Sequence, residues 1–380
     1  MERINVIKPW IGAEEAAAAS AAIESGWIAQ GPKVAEFEFR FAEMVNAQYA
    51  VAVSNCTTAL HLALIVAGLG PGDDVIVPSF SFIATTNAPV YVGARPVFAD
   101  VELSHGNLSV ATIQAALTPS TRAVILVHQG GQPADVDAIR AFCDPRGIVV
   151  IEDAACAAGS RYKDGPVGSA STIAAWSFHP RKLVTTGEGG MITTDNAEWA
   201  ARAKRLREHG MSVSAADRHK STLPTAEEYL ELGFNYRMTD VQAAIGIVQL
   251  RRLPEMLARR REIVAQYQRA FADVAGVRCV ADPSFGQSNF QSFWIELDDR
   301  FPLDRESLLE HLANHNISAR RGIMAAHHQP PYRHNVGQPL PNTDQLTNRS
   351  LILPVYHQMT EAEIRHVINA VRAAAGQAAA

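Results

Sequence analysis

The chain has 380 residues, with 34 Lys or Arg against 39 Asp or Glu, for a formal net charge of −5. Hydrophobic residues at 47% and charged residues at 19% are ordinary globular values, which exclude long disorder and fibrous repeats. With no surplus of positive charge to hold a phosphate backbone, nucleic acid is excluded as a first expectation for a partner.

The length predicts about two domains, one of them with a large core. The opening residues, MERINVIKPW, lack a basic stretch followed by an apolar one, so no signal peptide is expected. No apolar run reaches the roughly 20 residues of a membrane helix. Cys56, Cys143, Cys156 and Cys279 show no CxxC spacing and suit a reducing cytoplasm.

Strands and helices alternate from the first third onward. Ala50–Val53 reads as a strand and 57–67 as the helix after it. Short β-branched runs follow at 74–78, 95–98, 123–127 and 147–151, with helical periodicity at 112–117 and 136–142 between them. That alternation predicts right-handed crossovers and an open, mostly parallel sheet. Residues 211–232 are polar, contain Pro224 and interrupt the pattern; they read as surface elaboration or as a lid on the substrate or subunit side. Val241, Ala244, Ile245 and Val248 begin a long helix that continues through the charged Arg259–Arg261 stretch, expected to be a solvated face. A smaller α+β unit follows, with an alternating strand at 292–297 and a last helix from Thr360. The tail, 374–380, is expected to fray.

Chemistry concentrates in residues 177–190 (SFHPRKLVTTGEGG). A lysine in an apolar, Gly-rich setting is a candidate nucleophile for a Schiff base, since desolvation favours the neutral amine. The competing reading of Lys182 is a solvated turn. Asp153 ends a buried strand and precedes small residues; it can pair with a protonated ring nitrogen or merely cap a helix. Residues 54–61 (SNCTTALH) close a strand and open a helix, a natural phosphate cradle. Phe82 follows a strand's carboxyl end, where it can stack on a flat ring or join the core.

In order and wording these segments resemble the DegT/DnrJ/StrS-type sugar aminotransferases, enzymes of fold type I that use pyridoxal 5′-phosphate (PLP). The resemblance runs nearly end to end: 25–32 (SGWIAQGP), 72–82 (GDDVIVPSFSF), 131–135 (GQPAD), 152–155 (EDAA), 177–190, 233–238 (GFNYRM), His327 with 329–332 (QPPY), and Leu353-Pro354. It implies an α/β fold with a mainly parallel seven-stranded sheet over residues 15–245, a smaller α+β C-terminal domain over 246–380, and residues 1–14 near the active-site mouth.

Site residues carry over position by position. Lys182 is implied to hold PLP and shuttle the substrate proton, and Asp153 to pair with the ring nitrogen. Phe82 and Ala155 are implied to cover the ring faces, and Ser177 with the Cys56-Thr57 backbone to bind the phosphate. Asn235 is implied to reach the phosphate of a neighbouring subunit in a homodimer. Trp27, His179, Arg237, His327 and Tyr332 are the substrate-side candidates. One departure is Cys156, where the family usually has a Gln that contacts the cofactor's 3′-oxygen; another is Cys56, in place of Gly or Ser.

A dehydratase branch has His where the Schiff-base lysine belongs; Lys182 therefore favours transamination. The expected reaction moves an amino group from L-glutamate to a keto-sugar, nucleotide-linked. Its alternatives are a keto-cyclitol or other ketone as acceptor, and a PLP-fold sensor without turnover. The His327-His328 pair is expected to face opposite ways, so no metal site is expected.

Overall fold

The computed structural model describes residues 2–169, 171–213, 226–335 and 337–377. Its central sheet has seven strands: β1 (Tyr49–Val53), β2 (Asp74–Pro78), β3 (Arg95–Ala99), β4 (Thr121–Val127), β5 (Val149–Asp153), β8 (Ile173–Ser177) and β9 (Gly190–Thr194). A small hairpin, β6 (Arg161–Tyr162) and β7 (Gly165–Pro166), lies between β5 and β8 in the chain. The spatial order is β1-β9-β8-β5-β4-β2-β3. Only β9 runs against its neighbours, pairing antiparallel with β1 and β8; the other pairings are parallel. The mostly parallel sheet read from the β-branched runs is therefore present.

The strands are buried on both faces because helices cover both, as parallel sheets require. One apolar layer packs Phe37, Phe41, Trp176 and Phe178; the other packs the helix Cys56–Val66 through Leu60, Leu62 and Leu64. Asn55 caps that helix by accepting the Thr58 N–H at 3.0 Å.

A second sheet, β10 (Val277–Cys279), β12 (Phe293–Leu297), β14 (Ser350–Leu353) and β13 (Arg320–Arg321), carries its own apolar cluster around Phe293, Ile295 and Leu351. A short strand, β11 (Gly286–Gln287), joins the hairpin at β6. The long helix Asp240–Phe271 spans both cores, with Ala243 and Leu253 in one and Ile263, Tyr267 and Phe271 in the other. Near the N-terminus, Trp10 stacks on His357 with centroids 3.8 Å apart, and Gln249 Nε2 donates to the Trp10 carbonyl at 2.7 Å.

Several expectations are corrected. β12 does not alternate: all five residues are buried, because Glu296 is covered and taken up by the Arg278 guanidinium. Arg259–Arg261 is not one solvated face. Arg260 is 4% exposed and donates to carbonyls, whereas Arg259 pairs with Glu262 and Glu361. The last helix, Glu361–Ala374, extends through Ala374, and the Gln377 N–H still reaches the Arg372 carbonyl at 3.0 Å; residues 378–380 lie outside the described residues. So do 214–225, the centre of the segment read as elaboration or lid; its flanks meet where Met211 bridges Tyr229. Among the described residues, no helix is long and apolar enough to cross a membrane.

Candidate active site

At the carboxyl ends of β2, β4, β5 and β8 the sheet opens into a cavity of about 540 Å³, the position at which open α/β sheets bind ligands. Asn55, Cys56, Thr57, Phe82, Asp153, Ala155, Cys156, Ser177, His179 and Lys182 all line it.

Asp153 is 5% exposed. Its Oδ2 accepts the Thr85 hydroxyl at 2.8 Å and its Oδ1 accepts the Ala155 N–H at 3.2 Å. Ser81 Oγ in turn lies 2.8 Å from Thr85 Oγ1. Among the described residues no cation forms an ion pair with this carboxylate. A buried anion held only by neutral donors is costly unless a positive group completes the site, and a protonated ring nitrogen is such a group.

Lys182 follows β8 on a loop closed by local bonds. Its N–H donates to the His179 carbonyl at 2.8 Å, and the Thr186 N–H to the Phe178 carbonyl at 3.0 Å. Lys182 Nζ lies 3.1 Å from Cys156 Sγ. Burial pulls the pKa of this amine down, but Cys156, Cys56 and the Asp153 charge outweigh it, and the net shift is upward. Burial also pushes the Cys56 thiol well up, reinforced by Asp153. The imidazole of His179 is shifted down, chiefly by burial.

The glycines after Lys182 are geometric. Gly187 turns with φ +85, a region that disfavours side chains. At Gly190 a Cβ would meet the backbone of Asn55 and lie 2.7 Å from Cys56 N. β9 can therefore approach the first turn of the helix Cys56–Val66, whose opening residues Cys56 and Thr57 line the cavity, and a helix N-terminus is suited to an anion. Buried carboxylate, amine and helix N-terminus converge on one cavity, a donor set that fits PLP.

Five candidates lie elsewhere. Trp27 lines a separate cavity of about 520 Å³ with Gln30 and Glu208. Asn235 is exposed and bridges Glu208; Arg237, two residues on, is also outside the main cavity. His327 is buried, with Nδ1 2.7 Å from Ser79 Oγ. Tyr332 donates its hydroxyl to Asn87 Oδ1 at 2.5 Å. The two adjacent histidines do not face apart: the turn 326–328 brings Nε2 of His327 and of His328 to Asp344 Oδ1, at 3.2 and 2.9 Å.

Sequence reasoning missed Thr85, Gln129, Gln291, Arg181 and Arg320, although Thr85 supports Asp153 and the other four line the cavity. For Thr85 a signal existed, since it stands one helical turn after Phe82. Gln291 had none, because its contacts lie across the chain.

The chain matches the DegT/DnrJ/EryC1/StrS aminotransferase family over residues 9–372. It belongs to that family. It is a PLP-dependent aminotransferase. It is 39% identical over 369 residues to the spore coat polysaccharide biosynthesis protein SpsC of Bacillus subtilis (strain 168), covering 96% of this chain and 95% of SpsC. The aminotransferase TlmJ from Streptoalloteichus hindustanus superposes with a TM-score of 0.90 at 34% identity, over 98% of each chain. DesI, solved in the presence of its TDP-sugar product, superposes with a TM-score of 0.89 at 32% identity, over 99% of this chain and 93% of DesI.

Proposed function

We propose that this aminotransferase moves an amino group from L-glutamate to a nucleotide-linked keto-sugar. The observation that carries the reading is the buried Asp153, which forms no ion pair among the described residues, in one cavity with the Lys182 amine. The likeness to DesI and SpsC supports a sugar as acceptor.

PLP supplies, when bound, an electron sink beside the carbon that loses its proton. Lys182 would hold it through Nζ. Asp153 would face its ring nitrogen, Phe82 and Ala155 its two faces, and Ser177 with the N–H groups of Cys56 and Thr57 its phosphate. Once the donor's amine has displaced it from the cofactor, Lys182 Nζ would be the base that takes the proton from the donor's α-carbon and delivers it to the cofactor's C4′. Thr85 keeps the Asp153 carboxylate oriented, and Cys156 is the side chain at the amine. Phe82, 69% exposed at the cavity, and Asn235, exposed outside it, suit a homodimer in which Asn235 reaches the phosphate site of a second copy. The same reading treats 15–245 as the cofactor unit, 246–380 as the smaller one, and 1–14, through Val6 and Ile7 in the cavity wall, as part of the mouth.

The test is the visible spectrum of the purified protein before and after L-glutamate, beside Lys182→Ala. The wild type should be yellow and bleach with glutamate, whereas the variant should not respond. A nucleotide-linked keto-sugar should then restore the colour. A yellow protein indifferent to glutamate overturns the donor; one bleached by glutamate but not recovered by any keto-sugar overturns the acceptor.

A further inference from the structure

The root of the Lys182 side chain is framed by a residue more than one hundred positions later. Gln291 Oε1 accepts the Leu183 N–H at 2.9 Å, and Gln291 Nε2 donates to the Arg181 carbonyl at 2.5 Å. One carboxamide thus takes up the peptide groups on both sides of Lys182, as a neighbouring strand would. Asn289 holds the turn that follows the lysine's contact partner: its Nδ2 donates to the carbonyls of Cys156 and Ala158, each at 2.8 Å. The two are tied together where the Gln291 N–H donates to Asn289 Oδ1 at 2.7 Å. Both side chains are buried, Asn289 fully and Gln291 to 7% exposure.

This segment is itself held from the long helix. Arg260 donates from Nε and Nη2 to the Phe290 carbonyl (3.0 and 2.6 Å), from Nη2 to that of Gln291 (3.0 Å) and from Nη1 to that of Val355 (2.7 Å). Phe290 sits at φ +49, a left-handed conformation that a residue with a side chain keeps only where its surroundings impose it.

We infer that Asn289–Gln291 is a strap, anchored on Arg260, that sets where Lys182 Nζ stands against Cys156 and the cofactor site, with Gln291 as the positioning residue. The inference rests on the reading that Lys182 carries the cofactor. A lysine has a long, flexible stem, so its tip can be placed only if its root is fixed. A reactive group left loose by even an ångström loses much of its rate.

The experiment uses apoprotein mixed with PLP, and reads the rate at which borohydride fixes the cofactor on Lys182, by peptide mass, alongside the melting temperature. Gln291→Met keeps length and removes both hydrogen bonds; fixation should slow by roughly tenfold, the worth of about one buried hydrogen bond. Gln291→Glu can copy the amide only when protonated, donating to the Arg181 carbonyl and accepting the Leu183 N–H. Its rate relative to wild type should therefore rise toward one as pH is lowered and fall as pH is raised. A merely structural residue would lower the melting temperature and leave fixation unchanged, which would overturn the strap; so would a Gln291→Glu ratio that does not vary with pH. If Gln291→Met does not fold, the pH ratio alone decides. Fixation at another residue in the wild type overturns the Lys182 reading, and the strap with it.

Discussion

Thr85 and Asp153 meet at 2.8 Å from separate elements, the hydroxyl donating to Oδ2 of a carboxylate at the end of β5. Thr85 belongs to the helix Ile83–Tyr91, which begins just after Phe82. Phe82, which lines the cavity, is therefore followed one turn later by the residue that hydrogen-bonds the Asp153 carboxylate. Thr85→Val keeps the shape and deletes the donor. It should weaken PLP retention and slow the glutamate half-reaction by about tenfold, at a stability cost of roughly 1–3 kcal/mol for the orphaned acceptor. Dialysis followed by absorbance, and stopped-flow bleaching with glutamate, check this.

The Lys182–Cys156 contact predicts a pH effect. Burial lowers the lysine's pKa, but the neighbouring Cys156, Cys56 and Asp153 raise it on balance. At a given pH a higher pKa leaves less neutral amine, tenfold less per unit. Cys156→Ala removes the foremost upward influence. The rate of Lys182 acylation in the apoprotein, followed against pH by peptide mass, should rise at lower pH in the variant than in the wild type. A profile that does not move, or moves upward, rejects the influence assigned to the thiol.

A third expectation concerns Gly190, where the barrier is backbone on backbone. An alanine methyl would press on Asn55 and Cys56, and neither can yield as a flexible side chain would. Gly190→Ala should destabilise the protein by about 1–3 kcal/mol and displace the first turn of the helix Cys56–Val66. Urea unfolding reads the first effect, and a weaker Kd for PLP in equilibrium dialysis reads the second.

Much of this site is local in origin. Asp153 is identified by a run of β-branched residues ending in a carboxylate. The cradle is recognised by small and hydroxyl residues between a strand and a helix, and the lysine loop by its glycines. Each of those features is carried by a few adjacent residues, because strand, cap and turn preferences act over short separations. Contacts across the chain leave no such trace. Nothing adjacent to Asp240 says that its carboxylate caps the distant helix Pro32–Val45, accepting the N–H groups of Gly31, Lys33 and Val34 at 2.7 to 3.0 Å. His327 and His328 look divergent on an extended segment, and only the turn they occupy brings both to Asp344.

By itself, then, the sequence determined the alternation of strands and helices, the parallel sheet that follows from it, and the residues at the strands' carboxyl ends. Those are set by periodicity and backbone preference, which act before any distant segment arrives. Tertiary structure decided which polar groups became buried and who satisfied them. Arg260 lies in the middle of three consecutive arginines, yet it is the buried one of the three, drawn inward to the carbonyls of Phe290 and Gln291. A buried donor must find an acceptor wherever folding places one, and that partner is chosen by position in space.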